Sequence, residues 1–230
     1  MVHGLAVSPG SAKIIFGADF KRENLTSTSM NPSTDPVQEL IVAVRSAFET
    51  ETTIGRLLGR TKESLERFLA NPASLDQIKE SLASVLARKA IPYGQPVDQE
   101  GYGSWRLYTD PTHLFCIRPT HQRSTTSRQP HDHGELGWAV YGILVGETVQ
   151  QIYERLDDGS EPGRAVLRPL PPIRQRAGEV IIIPVGAPHA IIARTENWSV
   201  VIRSREMETL WRNWYDAEAG TVERRVFGYG

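Results

Sequence analysis

The sequence predicts a mainly β fold, a small barrel or sandwich with an N-terminal helical layer. Apolar residues recur at helical spacing between about residues 35 and 92, and short strand-like runs separated by turn residues then fill residues 102–205. The length of 230 residues suits one domain with an appendage. Helices followed by many short strands are typical of a β-barrel or sandwich covered by a helical lid.

Composition narrows the classes of function. With 40% hydrophobic and 23% charged residues, the chain has the makeup of a folded globular protein. The net charge of −1 disfavours nucleic acid and an anionic membrane as main partners, and no apolar run reaches the length of a membrane span. Cys116 is the only cysteine, and the N-terminus lacks a basic-then-apolar leader. We therefore expect a cytoplasmic protein without an internal disulfide, and leave its oligomeric state open.

The chain divides into an arm and a single domain. Residues 1–34 have no clear period and predict a flexible N-terminal arm. Residues 35–230 form the domain, with a helical segment at 35–92, a barrel at 102–205 and a C-terminal segment at 206–230. The three predicted helices begin at Asp35-Pro36, at about Thr61 and at Ser74.

Nine strands are predicted in the second half of the chain. They are Trp105–Tyr108, Leu114–Arg118, Gln129–His133, Trp138–Leu144, Thr148–Arg155, Ala165–Leu167, Glu179–Ile183, His189–Ala193 and Ser199–Arg203. After them, Leu210, Trp211 and Trp214 fit one face of a helix, which predicts a C-terminal helix docked on the barrel.

Two histidines one residue apart indicate a metal site. Side chains alternate along a strand, so His131 and His133 share a face while Asp132 points away. His189, which follows a Gly turn, a short apolar strand and a Pro-rich turn, is the best candidate for a third ligand. Three imidazoles suit a divalent ion with open positions, and the ligand types leave Fe(2+), Zn(2+) and other divalent metals open.

These motifs resemble those of a known family. His131-Asp-His133-Gly, followed by Trp138-Ala-Val-Tyr-Gly-Ile-Leu-Val-Gly-Glu147, resembles the first cupin motif of the bacterial cysteine dioxygenase family, and Gly178-Glu-Val with Pro188-His189 resembles the second. The resemblance covers roughly Asp35 to Glu206. It implies a cupin double-stranded β-helix (jelly-roll) barrel, Fe(2+) held by the three histidines, and oxidation of a thiol to a sulfinate by O2.

The resemblance also suggests how a substrate is held. The family has an arginine on an early strand that binds the substrate carboxylate, and Arg106 falls at a matching place. The strand after the third ligand reads Trp198-Ser-Val-Val-Ile-Arg-Ser204, without the His and Tyr that many members carry. This departure disfavours cysteine itself as the substrate, and it favours either another small carboxylate-bearing thiol or a reaction on a carbon substrate. Arg203 on this strand is a second candidate for the substrate carboxylate, although alternation does not fix which face it occupies.

Other functions and residues stay open at this point. A three-His cupin acting on a carbon substrate and a non-catalytic metal- or small-molecule-binding cupin are the rival functions. Asp132 either orients the site or is a solvated carboxylate. We interpret Glu135 as a turn residue and Cys116 as core. We expect the remaining polar residues to lie at the surface or in loops; they are His113, His121, Arg118, Arg123 and Arg128.

Overall fold

A computed structural model describes most of the predicted domain. The described residues are 35–87, 102–122, 126–127, 129–193, 195–207 and 210–226. The predicted arm at 1–34, the end of the helical segment, Arg123 and Arg128 lie outside them. None of the described helices combines the length and apolar character that a membrane crossing requires.

Three helices form the N-terminal layer of the described domain. They are α1 (Pro36–Thr50), α2 (Ile54–Ala70) and α3 (Ser74–Ala87). Asp35 caps α1 as predicted, because its carboxylate accepts from the backbone N–H groups of Val37 at 2.9 Å and Gln38 at 3.1 Å. The second helix begins well before the predicted Thr61. Glycines in its first two turns weakened the helical pattern there.

Thirteen short strands follow in the described part of the chain. They are β1 (Tyr102–Ser104), β2 (Tyr108–Thr109), β3 (Cys116–Gln122), β4 (Thr126–Ser127), β5 (Ala139–Val145), β6 (Glu147–Arg155), β7 (Leu167–Pro169), β8 (Ile173–Arg176), β9 (Val180–Ile183), β10 (His189–Ala193), β11 (Asn197–Arg203), β12 (Trp211–Asp216) and β13 (Thr221–Val226). One antiparallel sheet has the order β1-β3-β11-β5-β9 with β2 beside β3, and a second has the order β4-β10-β6-β7 with β8 beside β6.

The first sheet is covered on both faces. On its outer face, side chains such as Val140 and Val200 join a core with Leu65 of α2. On its inner face, Tyr141 and Val201 belong to an apolar cluster that also includes residues of β6 and β10 from the second sheet. Two antiparallel sheets that share one interior, under a helical layer, confirm the predicted jelly-roll barrel.

The C-terminal helix prediction is wrong. Residues 211–226 form a β-hairpin, β12 and β13, in which Trp211 pairs with Val226 and Asp216 with Thr221. Alternation along β12 buries Arg212 and Trp214 and exposes Trp211. Aromatic and β-branched residues favour a pleated, half-buried surface, and here that tendency outweighs the helical spacing of three apolar residues.

Several strand boundaries also differ from the prediction. The predicted strand Gln129–His133 is reduced to an extended segment with antiparallel bridges at His131. The predicted strand Trp105–Tyr108 falls largely between β1 and β2, although its backbone still bonds to β3 through Trp105 and Leu107. Strand β8 (Ile173–Arg176) was not predicted, because its alternation of charged and uncharged residues is too short to indicate a strand by itself.

Candidate metal centre

The paired histidines lie on a segment held from both sides. Residues 130–134 run between β10 and β12. His131 and His189 exchange backbone hydrogen bonds of 2.9 Å each, and the backbone N–H of Asp132 donates to the Asn213 carbonyl at 3.1 Å. The position of the first two histidines therefore depends on the strand that carries the third and on the C-terminal hairpin.

Three imidazoles converge in the barrel interior. One nitrogen from each of His131, His133 and His189 lies within 4.8 Å of the other two. The ring of His189 has its centroid 4.7 Å from each of the other two rings. All three residues are buried, with at most 4% of their surface exposed. The structure thus brings together the three residues that the sequence predicted as ligands.

The hydrogen bonds of these rings fit a bound cation. Nδ1 of His131 lies 3.0 Å from the Gln129 carbonyl oxygen, and Nδ1 of His189 lies 3.1 Å from that of Ala187. A proton on Nδ1 leaves Nε2 as the lone-pair nitrogen, the usual arrangement in metal-binding histidines. Within the described residues, Nε2 of His189 and both ring nitrogens of His133 are buried without a hydrogen-bond partner. A divalent ion would supply the missing partner.

Burial and neighbouring positive charge keep the imidazoles of His133 and His189 neutral. Burial is the largest cause and lowers the pKa of His189 to about 4, against the Ala187 hydrogen bond and the charge of Asp132, which raise it. The pKa of His133 is lowered well below its usual value by burial and by the other two histidines. Because a metal binds the neutral ring, protons do not compete for these ligands at neutral pH.

Two guanidinium groups make the surroundings positive. The charges of Arg203 and Arg212 lower the pKa of both His133 and His189, so both groups act on the site through space. Arg203 is the last residue of β11 and lies on the same face as Val201, which belongs to the interior apolar cluster. Arg212 comes from the C-terminal hairpin and is buried. Arg212 was not predicted as a site residue, because the sequence around Trp214 predicted a helix rather than the strand that is present.

Arg106 has a carboxylate partner within the protein. Its Nε lies 2.7 Å from Oε1 of Glu206, and Nη1 of Arg118 lies 3.2 Å from Oε2 of the same carboxylate. Thr109 Oγ1 also donates to Glu206 at 2.8 Å. The expectation that Arg118 is a loop charge is wrong, because this residue lies within β3 with 1% of its surface exposed. Arg106 therefore belongs to a partly buried ion-pair network in which Arg118 is the buried member.

The remaining candidates separate by burial. The side chain of Glu135 is 86% exposed and faces Arg224 at 3.4 Å, as expected of a turn residue. Cys116 is buried, as predicted for a core residue. The prediction for His121 is wrong, because its buried ring stacks on Trp198 with 3.9 Å between ring centroids. His113 is partly buried and its ring stacks on that of Phe48. Asp132 is buried rather than solvated.

Comparisons with known proteins found weak similarity to solved structures. No protein-family model and no curated protein matches the chain. A conserved protein of unknown function from Streptococcus pyogenes is 18% identical, over 47% of this chain and 78% of that chain, with a TM-score of 0.35. A cupin superfamily protein from Desulfitobacterium hafniense is 18% identical, over 49% of this chain and 84% of that one, with a TM-score of 0.35.

Oxalate oxidase in complex with glycolate is also similar. It is 20% identical over 49% of this chain, with a TM-score of 0.36. This chain spans 55% of the length of that one. At such identities and TM-scores, inference about activity rests on the site itself.

Proposed function

We propose that this chain is an iron-dependent cupin dioxygenase that oxidises a small carboxylate-bearing thiol with O2. The observation that carries the proposal is the buried cluster of His131, His133 and His189 with the charges of Arg203 and Arg212 acting on it. Neutral imidazoles leave a divalent ion with its full charge, and the two guanidinium groups add to it. Such surroundings favour a substrate that brings negative charge, as a thiolate with a carboxylate does.

Iron suits this chemistry better than zinc. Zinc has no redox chemistry, whereas reaction with O2 calls for an ion that exchanges electrons. When bound by the three histidines, iron would lower the thiol pKa and hold both reactants in one place. The net reaction adds both atoms of one O2 molecule to the thiol sulfur, so a thiol becomes a sulfinic acid without a further reductant.

The chain's own residues have separate roles in this proposal. Arg203 holds the substrate carboxylate, because a guanidinium donates two parallel hydrogen bonds to such a group. Apolar inner-face side chains such as Val201 and Ile183 exclude water beside the histidines. Tyr141 belongs to the same apolar cluster, and its ring centroid lies 6.2 Å from that of His189. Arg106 stays the alternative anchor, although it already pairs with Glu206.

Oxygen uptake by the iron-loaded protein tests the function. We expect uptake with 3-mercaptopropionate and mercaptosuccinate, little with cysteine, and sulfinate that carries both atoms of labelled O2. His189→Ala should lose both iron and uptake. Uptake with a diketone alone would instead support the carbon-oxygenase rival, and thiol binding without any uptake would support a non-catalytic binding protein.

Arginine variants test the anchor. A hydrogen bond to a charged group contributes about 1.5–3 kcal/mol, so Arg203→Met should lower kcat/KM for mercapto-acids by roughly ten- to a hundredfold while iron content stays unchanged. Arg203→Lys should recover part of the loss. Arg106→Met is the matched variant. If it alone loses kcat/KM, the carboxylate is bound by Arg106 and the role given to Arg203 is wrong.

A further inference from the structure

The carboxylate of Asp132 connects the metal-binding segment to the C-terminal hairpin. Its Oδ1 accepts from the backbone N–H groups of Gly134 and Asn213, both at 3.0 Å. Its Oδ2 accepts from Asn213 Nδ2 at 2.7 Å and from the Tyr215 hydroxyl at 2.9 Å. Only 3% of Asp132 is exposed. Four donors around one buried carboxylate, three of them on β12, make this the main polar link between the two elements.

The hairpin in turn contacts the histidines. The ring of Trp214 stacks on that of His131, with 4.9 Å between centroids and an interplanar angle of 26°. The guanidinium groups of Arg225 and Arg212 lie over the Trp214 ring, at 4.7 Å and 5.2 Å from its centroid. Arg212 lies on β12 together with Trp214, and its charge acts on His133. Fastening β12 therefore fixes one ligand ring and places a cation near another.

Asp132 also lies between two ligands in the sequence. Side chains alternate in extended backbone, so His131 and His133 point into the barrel while Asp132 points out toward the hairpin. Rotation of the backbone at residue 132 would move both imidazoles. The hydrogen bonds of its carboxylate to Gly134 on one side and to Asn213 on the other oppose that rotation.

We propose that Asp132 is a positioning residue that fastens the C-terminal hairpin to residues 130–134 and thereby fixes His131 and His133 for metal binding. The hairpin is then part of the metal centre, although it supplies no ligand. This inference rests on the metal site of the proposed function and is independent of the thiol chemistry.

Metal affinity is the direct test. Loss of groups that orient metal ligands lowers metal affinity about 10- to 100-fold, and Asp132→Asn should fall in that range. Tyr215→Phe removes one of the four hydrogen bonds and should cause a smaller loss. Glu135→Gln is the matched control, because it removes a neighbouring carboxylate that meets the hairpin only at the surface, and it should bind metal as the unchanged protein does. Affinities for Co(2+) and Zn(2+) are measured by competition with a chelator.

A second measurement separates positioning from general stability. The visible absorption of bound Co(2+) reports ligand geometry, and we expect Asp132→Asn and Tyr215→Phe to change its shape. Unchanged affinity and spectrum in Asp132→Asn, with only a lower unfolding temperature of the metal-free protein, would overturn the proposal. If the unchanged protein itself binds neither ion, the metal centre is refuted together with the positioning role of Asp132. Normal metal binding without thiol oxidation would refute the proposed function alone.

Discussion

Replacing Glu206 by glutamine tests the ion-pair network of the first sheet. The carboxylate holds Arg106 Nε at 2.7 Å and Arg118 Nη1 at 3.2 Å. Glutamine keeps the size of the side chain and one acceptor oxygen but removes the charge. The variant therefore leaves two neighbouring guanidinium groups without the anion between them, and one of these groups is almost wholly buried.

The cost follows from the burial of the partners. The side chain of Arg118 is 2% exposed and that of Glu206 is 22% exposed. Removing one partner of a buried pair costs about 3–5 kcal/mol of stability. Because the carboxylate is partly exposed, we expect a smaller loss here, about 2–3 kcal/mol. A protein of this size changes its unfolding temperature by about 2–4 °C for each kcal/mol, so we expect a decrease of about 4–12 °C.

Thermal and urea unfolding, followed by circular dichroism on metal-free protein, measure this loss. Glu154→Gln is the control, because its pair with Arg168 is exposed on both sides and should contribute less than about 1 kcal/mol. The double variant Glu206→Gln/Arg118→Met should recover part of the stability, since it removes the buried charge as well. A loss in Glu206→Gln no larger than that of the control would refute the reasoning.

Two further predictions concern glycines and pH. In Gly142→Ala the added methyl group would lie 2.8 Å from the end of the Leu69 side chain and 2.9 Å from that of Leu65, and both side chains would have to shift. In Gly137→Ala it would lie 1.9 Å from the His133 carbonyl oxygen, which is backbone. We therefore expect Gly142→Ala to lose about 1–3 kcal/mol of stability, and Gly137→Ala to lose more and also to bind Co(2+) more weakly. Unfolding measures the stability of both variants, and chelator competition measures their metal affinity. Burial alone would raise the pKa of Asp110, but hydrogen bonds from the His113 backbone and from Arg45 lower it to about 2. The ionised carboxylate therefore stabilises the fold above about pH 4, and this contribution should disappear as the pH falls from about 4 to 2. Acid unfolding of Asp110→Asn should lack this pH-dependent step.

The metal ligands could be predicted because their signals are local. Alternation places His131 and His133 on one face without knowledge of the rest of the fold. The turn before His189 is equally visible in a short window of sequence. The N-cap at Asp35 belongs to the same class, since the cap and its two donors lie within four residues.

The surroundings of the ligands could not be predicted because they come from distant strands. The few aromatic residues near Trp214 fit both the alternation of a strand and the spacing of a helix. Pairing with β13 and stacking of Trp214 on His131 decide in favour of a hairpin. His121 looked exposed because its stacking partner, Trp198, lies eight strands later in the chain, on β11, which pairs directly with β3. Contacts of this kind depend on tertiary pairing that no local pattern contains.

The choice between Arg106 and Arg203 as the carboxylate anchor depends on one such contact. Chain position favours Arg106, yet Glu206 already occupies its Nε, and a substrate would have to displace that carboxylate. Arg203 acts on His133 and His189 through its charge. Glu206→Gln therefore separates the two, because KM for mercapto-acids should fall in this variant only if Arg106 reaches the substrate. An unchanged KM, together with the loss expected in Arg203→Met, would assign the carboxylate to Arg203.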